Sequence, residues 1–162
     1  MISTIYIPRE ERLAQKDLIR RIAEAVYDSE EKISFMEEFV PPGGRVPHPQ
    51  AELFAQYLSM DPRQLWAVSY KKQVVGFILI ADIPHRNAVG FGIDCRYANC
   101  GIMSHAFTLI KSSPEIRFPL YGYTSQRNIA VHRLLKKLGF LLTDESVLFL
   151  GEPAFGFVLN NP

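Results

Sequence analysis

The run Ala88-Val89-Gly90-Phe91-Gly92-Ile93-Asp94-Cys95-Arg96-Tyr97-Ala98-Asn99-Cys100-Gly101-Ile102-Met103-Ser104-His105-Ala106-Phe107 decides how this chain folds. It opens apolar and strand-like, breaks at a polar turn, and resumes with apolar positions at helical spacing through Phe107 and Ile110. Strand, turn and helix in that order expose backbone N–H groups at a helix start. Those groups lack intrahelical partners, and the helix dipole adds partial positive charge, so the turn is suited to an anion.

Working towards the N-terminus, residues 65–70 and 74–81 read as strands joined by a tight hairpin at Lys71-Lys72-Gln73. A second turn over 82–87, with Pro84, leads into the strand of the opening run. Before these, residues 2–7 alternate as a short strand stopped by Pro8. Residues 10–27 carry Leu13, Leu18, Ile19, Ile22, Ala25 and Val26 near helical spacing, as an amphipathic surface helix would. Residues 29–39 suggest a further short helical or irregular segment, and 50–58 a helix closed by Asp61-Pro62. Between them, Pro41-Pro42-Gly43-Gly44-Arg45-Val46-Pro47-His48-Pro49 is a loop, because so dense a run of proline and glycine supports neither helix nor central strand. Arg45 and His48 are its candidate contacts.

Towards the C-terminus the helix ends near Lys111, with Pro114 beyond it. Residues 118–124 form a strand, Ser125 to Asn128 supply helix-start residues, and 129–138 a helix stopped by Gly139. Strands over 140–142, 147–150 and 155–159 finish the sheet. The expected class is α+β (mixed α/β), one domain over residues 1–162.

The totals limit function. The chain has 162 residues, 48% hydrophobic and 22% charged, as in an ordinary globular domain. A net charge of +1 argues against strong global attraction to nucleic acid or an anionic membrane. Arg127, His132, Arg133, Lys136 and Lys137 form the one basic cluster that would favour nucleic acid, and a solvated helix face explains them as well. Cys95 and Cys100, the only cysteines, support neither a disulfide framework nor a metal cluster, so no metal is expected. No apolar run approaches the roughly 20 residues of a membrane span. The start lacks a signal pattern, which leaves a cytoplasmic location as the expectation.

Two segments at this spacing resemble the Gcn5-related N-acetyltransferase (GNAT) family. Tyr97-Ala98-Asn99-Cys100-Gly101-Ile102-Met103, following a strand and opening a helix, is similar to the family's pyrophosphate loop, Gln/Arg-x-x-Gly-x-Gly/Ala. Asn128-Ile129-Ala130-Val131-His132-Arg133-Leu134-Leu135-Lys136-Lys137-Leu138-Gly139-Phe140 resembles its late segment, matching at Asn128, Leu134, Lys137, Gly139 and Phe140. The resemblance implies a GNAT-like acyl-CoA N-acyltransferase fold: a mostly antiparallel sheet flanked by helices, with two splayed parallel strands, here 88–95 and 118–124. It implies acetyl-CoA as acyl donor and a small-molecule or protein primary amine as acceptor, attacking directly in a ternary complex.

By the same resemblance, acetyl-CoA would be held by Ile93, Cys95, Arg96, Ala98, Asn99, Cys100, Gly101, Ile102, Met103, Ser104, Asn128 and Leu135. Gly101 would admit the phosphates close to the backbone. Ala98 stands in place of the loop's Arg or Gln, with Arg96 as the substitute cation. Asn99 and Met103 replace glycine-type positions, and Met103 is placed to crowd the phosphates. Leu135 occupies the position of the family's proton-donating tyrosine, and residues 87–93 hold no carboxylate. The nearest groups for acid–base work are Asp94, His85, His105 and Tyr123, of which Tyr123 and Asp94 are the catalytic candidates. These departures keep a second function open: a GNAT fold without catalysis in a binding or assembly role, as in virus-encoded accessory or head-assembly proteins. Oligomeric state, a homodimer included, is open.

Overall fold

The computed structural model describes residues 1–37, 50–83, 85–149 and 151–161. The expected loop over 41–49 with Arg45 and His48, and Pro84, lie outside the described residues. The elements are β1 (Ile2–Tyr6), α1 (Lys16–Tyr27), α2 (Glu30–Glu37), α3 (Ala51–Met60), β2 (Gln64–Tyr70), β3 (Gln73–Asp82), β4 (Asn87–Ile93), α4 (Ile102–Ile110), β5 (Leu120–Ser125), α5 (Ile129–Lys137), β6 (Leu141–Leu142), β7 (Val147–Phe149) and β8 (Glu152–Leu159).

The sheet runs β1-β2-β3-β4-β5-β8-β6, with β7 also on β8. Every recorded pairing is antiparallel except β4 with β5. That parallel pair is held only at Asn87↔Leu120 and Ala88↔Tyr121. Beyond it the strands part, which is the splay that the family resemblance implied.

Helices cover both faces. Ile102, Ala106 and Phe107 of α4 and Leu135 of α5 pack with Trp66, Ile78, Leu120 and Phe157 on one side. Ile19, Ile22 and Val26 of α1 and Phe54 and Leu58 of α3 pack with Leu65, Phe77 and Leu79 on the other. Because β2 and β3 are covered twice, they are buried almost without alternation along their length.

One local outcome differs from the sequence reading, and two others refine it. α1 begins at Lys16, and Arg9–Glu11 form a separate 3-10 turn. Leu13 is 85% exposed, because it lies in the turn before α1 and so outside the helix whose inner face carries Ile19 and Ile22. The β2–β3 hairpin turns through Lys71 (φ 49°) and Lys72 (φ 66°), so the left-handed positions of its two-residue turn are filled without glycine. Finally, β6 and β7 lie along the same edge of β8, at Leu141↔Val158 and Val147↔Ala154. Thr143 still donates its N–H to Gly156 O at 2.8 Å, and Asp144 to Ser146 bulge away from that edge.

No helix among the described residues is long and apolar enough to cross a membrane.

Candidate functional site

The site is built where β4 ends. Asp94 accepts from the Arg96 backbone N–H at 3.0 Å and so caps a 3-10 turn over Cys95–Tyr97. The chain reverses through Asn99 (φ 60°) and Gly101 (φ 77°) before α4 starts. A Cβ on Gly101 would meet nothing within 4 Å, so glycine serves the backbone conformation there and the space in front is open. The first helical bond is His105 N–H to Gly101 O at 3.1 Å, and no side chain caps α4. Helix geometry therefore leaves the N–H groups of Ile102, Met103 and Ser104 without an intrahelical acceptor. Met103 is 8% exposed and belongs to the core, so its side chain points into the protein rather than across those groups. The crowding expected from Met103 does not occur.

Above this turn lies an open cleft of about 320 Å³. Phe91, Gly92 and Ile93 of β4 line it, as do Tyr97 through Ser104 and Phe35 of α2. The far wall is α5, which contributes Ala130, Arg133, Leu134 and Lys137, with Val131 and Asn128 beside them. Asn128 has two duties at once, since its Oδ1 also accepts from Val131 N–H at 3.1 Å and caps α5. Arg133 and Lys137 are exposed, and neither enters an ion pair among the described residues. The cleft thus joins an uncapped helix start and two free cations to an apolar interior.

Ile93, Ala98, Asn99, Cys100, Gly101, Ile102, Met103, Ser104 and Asn128 all reach the wall of this cleft. Cys95, Arg96 and Leu135 do not. Arg96 is drawn the other way: its Nη2 lies 2.6 Å from Asp94 Oδ2 and its Nε 3.1 Å from Oδ1. It therefore does not face the cleft, where Arg133 and Lys137 are the basic side chains on the wall. Leu135 is 1% exposed and turned towards β5, where a Cβ on Gly122 would sit 3.1 Å from its Cδ1. It is a core residue.

Asp94 is also placed differently from the expectation. Its side chain is 2% exposed and held by Arg96, and Lys32 Nζ of α2 approaches its Oδ2 at 3.5 Å. Burial alone would raise its pKa, but the Arg96 hydrogen bonds and the Lys32 charge outweigh burial and hold the carboxyl below its ordinary value. A carboxylate so saturated with donors is poorly suited to collect a proton from an amine. Asp94 ties α2 to the loop instead.

Tyr123 lies on the other face of β5. Gly122 faces α5, so strand alternation sends Tyr121 and Tyr123 to the opposite side, where their rings stack at 6.4 Å. The Tyr123 hydroxyl accepts from Arg86 Nη1 at 3.1 Å. His85 and His105 are exposed on the surface, away from the cleft wall. His132 turns inward, with a ring nitrogen 3.1 Å from Ser125 O and its ring against Phe155. The basic residues of α5 therefore do not form one continuous outer patch. Among the described residues no group of three His, Cys, Asp or Glu is arranged to hold a metal.

The residues that sequence reading missed were marked by a pattern. Ala130, Arg133, Leu134 and Lys137 stand at i, i+3, i+4 and i+7, one face of a helix, and that face is the cleft wall. Arg86 and Glu145, 59 positions apart, had no such signal.

No family model matches the sequence, and no curated protein does. Solved structures do match. The ribosomal-protein-S5-alanine acetyltransferase from Vibrio fischeri aligns with 99% of this chain and 93% of its own, at TM-score 0.65 and 17% identity. A GNAT-family acetyltransferase from Bacillus anthracis aligns with 99% of this chain and 95% of its own, at TM-score 0.65 and 13% identity. The Campylobacter jejuni N-acetyltransferase PseH, solved with acetyl coenzyme A, covers 100% of both chains at TM-score 0.58 and 16% identity. The chain has the GNAT acetyltransferase fold.

Proposed function

We propose that this protein is an acetyl-CoA-dependent N-acetyltransferase that acts on a primary amine by direct attack in a ternary complex. The observation that carries the reading is the open cleft between β4, the uncapped start of α4 and the Arg133–Lys137 face of α5. Its parts fit the donor's chemistry. N–H groups at a helix start and two cations suit a pyrophosphate. The apolar wall of Phe91, Val131 and Leu134 suits the pantetheine arm. The parted strands β4 and β5 give that arm a way through the sheet to the face bearing Tyr121 and Tyr123.

In the reaction the amine nitrogen bonds to the acyl carbon, the carbon–sulfur bond breaks, and the departing sulfur takes a proton. Tyr123 is the group assigned to give that proton, and Asp94 holds the loop in shape. Juxtaposing amine and thioester supplies much of the rate in such a transfer.

The test is thermal unfolding with acetyl-CoA, followed by thiol release with a series of primary amines. At about 100 times its dissociation constant the ligand stabilises by about 2.7 kcal/mol, which raises Tm by several degrees. Exchanging Arg133 and Lys137 together for Ala should remove most of that shift. No shift at millimolar acetyl-CoA would overturn the reading. A shift without thiol release would favour the second reading, a GNAT-fold binding protein, which the apolar Leu135 at the usual tyrosine position also favours.

A further inference from the structure

The face of the sheet opposite α5 carries an assembly that the cleft does not explain. Arg86 leaves the β3–β4 turn and passes over Tyr121, with its guanidinium carbon 4.4 Å from the ring centroid. Its Nη1 then meets the Tyr123 hydroxyl at 3.1 Å and both carboxylate oxygens of Glu145, at 2.9 Å and 2.7 Å. Glu145 sits in the bulge between β6 and β7, so the side chain bridges from β4 across β5 and β8. Tyr123 pairs with Gly156 on β8, where an added Cβ would lie 2.8 Å from Thr143 Oγ1 and 3.6 Å from the Tyr123 ring. The missing side chain leaves room for the Thr143 hydroxyl, while the ring stays at ordinary contact distance. Tyr123 is also two residues past the last β4–β5 pair, at the start of the gap.

We infer that Arg86 is a positioning residue that holds the Tyr123 hydroxyl as proton donor to the departing thiolate, with Glu145 fixing Arg86 in turn. The inference rests on the N-acetyltransferase reading above. Arginine has only donors, so in the Arg86–Tyr123 contact the phenol oxygen must accept. The phenol's own proton is thereby left free to be given elsewhere. The proton passes from the Tyr123 oxygen to sulfur as the carbon–sulfur bond breaks with its electron pair on sulfur. The phenolate formed lies against the Arg86 cation until it recovers a proton from the acylated nitrogen, directly or through solvent. The ion pair with Glu145 keeps Arg86 from swinging into water, and the contact over Tyr121 sets its path.

The experiment measures acetyl-CoA dissociation constants and steady-state thiol release, with n-butylamine as the probe acceptor. The proteins are wild type, Arg86→Met, Arg86→Lys, Glu145→Gln, Tyr123→Phe and Arg86→Met/Tyr123→Phe. General acids contribute on the order of 10²–10⁴ in rate, so Arg86→Met should lower kcat by roughly 10- to 100-fold. Its acetyl-CoA dissociation constant should stay within about twofold, since Arg86 does not line the cleft wall assigned to the pyrophosphate and the pantetheine arm. Arg86→Lys should recover part of kcat. In the Tyr123→Phe background, Arg86→Met should cost nothing further, because Arg86 acts through the phenol. Losses that add in the double variant, or a loss confined to Tm or KM, would show that Arg86 only clamps the turn to the bulge. Wild type that binds acetyl-CoA and releases no thiol with n-butylamine or with any amine of the series above defeats the enzyme reading itself, an outcome distinct from either.

Discussion

Asp94 and Cys100, six positions apart in sequence, show how differently neighbouring residues on one loop are committed. The Asp94 carboxylate is paired with Arg96 and Lys32, and it is ionised more readily in the folded chain than in the unfolded one. As pH falls, the unfolded chain therefore takes up this proton first. The contribution of Asp94 to stability is complete above about pH 5 and is lost as pH drops from about 4 through the lower folded value. Asp94→Asn should destabilise the protein by about 1–2 kcal/mol at pH 7, because the Arg96 and Lys32 contacts lose their charge while Asp28 still pairs with Lys32. Urea unfolding should show that deficit shrinking below pH 4; a deficit independent of pH would contradict the assignment. Cys100 is exposed and lines the cleft, with its Sγ 3.5 Å from Ala98 O. Its alkylation should slow at least tenfold in saturating coenzyme A, while half-buried Cys95 outside the wall should be insensitive. Mass spectrometry of the modified peptides reads both. Equal rates at Cys100 with and without the ligand would place coenzyme A elsewhere.

At the scale of elements, β4 owes its shape to what faces its glycines. Gly76 on β3 lies under β4, where a Cβ would fall 2.2 Å from Gly92 O. That atom is backbone and cannot rotate away. At Gly90 the nearest atom to an added Cβ is Leu79 Cδ1, at 2.9 Å, the end of a flexible side chain. Gly76→Ala should therefore cost about 2–4 kcal/mol and Gly90→Ala less than half as much, read from denaturant midpoints. Equal losses would mean that β4 shifts as a unit. The hairpin at Lys71-Lys72, the turn into α4 and the cap of α5 at Asn128 follow from local chemistry within a few residues. The face Ala130-Arg133-Leu134-Lys137 was written in the periodicity as well. Leu135 falls outside the cleft wall, because a match in register says nothing of which way a side chain points once the helix is rotated onto the sheet, and Lys32, a partner of Asp94, stands 62 positions away.

For the molecule as a whole, function depends on distant pieces meeting. Lys32 of α2 reaches Asp94 at 3.5 Å, Asp28 at 2.8 Å and the Glu24 carbonyl at 3.1 Å, so the helix that brings Phe35 to the cleft is bolted to the loop that opens it. Arg86 and Glu145 join the start of β4 to the bulge beyond β8. The two assemblies stand at opposite ends of β4, Arg86–Glu145 where it begins and Lys32–Asp94 where it finishes.

The sequence by itself determined the order of strands and helices, the strand–turn–helix at Ile93 to Ile102 and the helix cap at Asn128, because each is set by contacts within a turn or two of chain. Only the tertiary structure decided that β8 enters beside β5, that β4 and β5 part after Ala88 and Tyr121, and that Met103 turns inward. Those outcomes depend on which distant apolar faces pack together and on which buried charges must find partners. The opening run thus set where a phosphate-binding turn would lie, and the packing of α4 and α5 on the sheet left its cleft open.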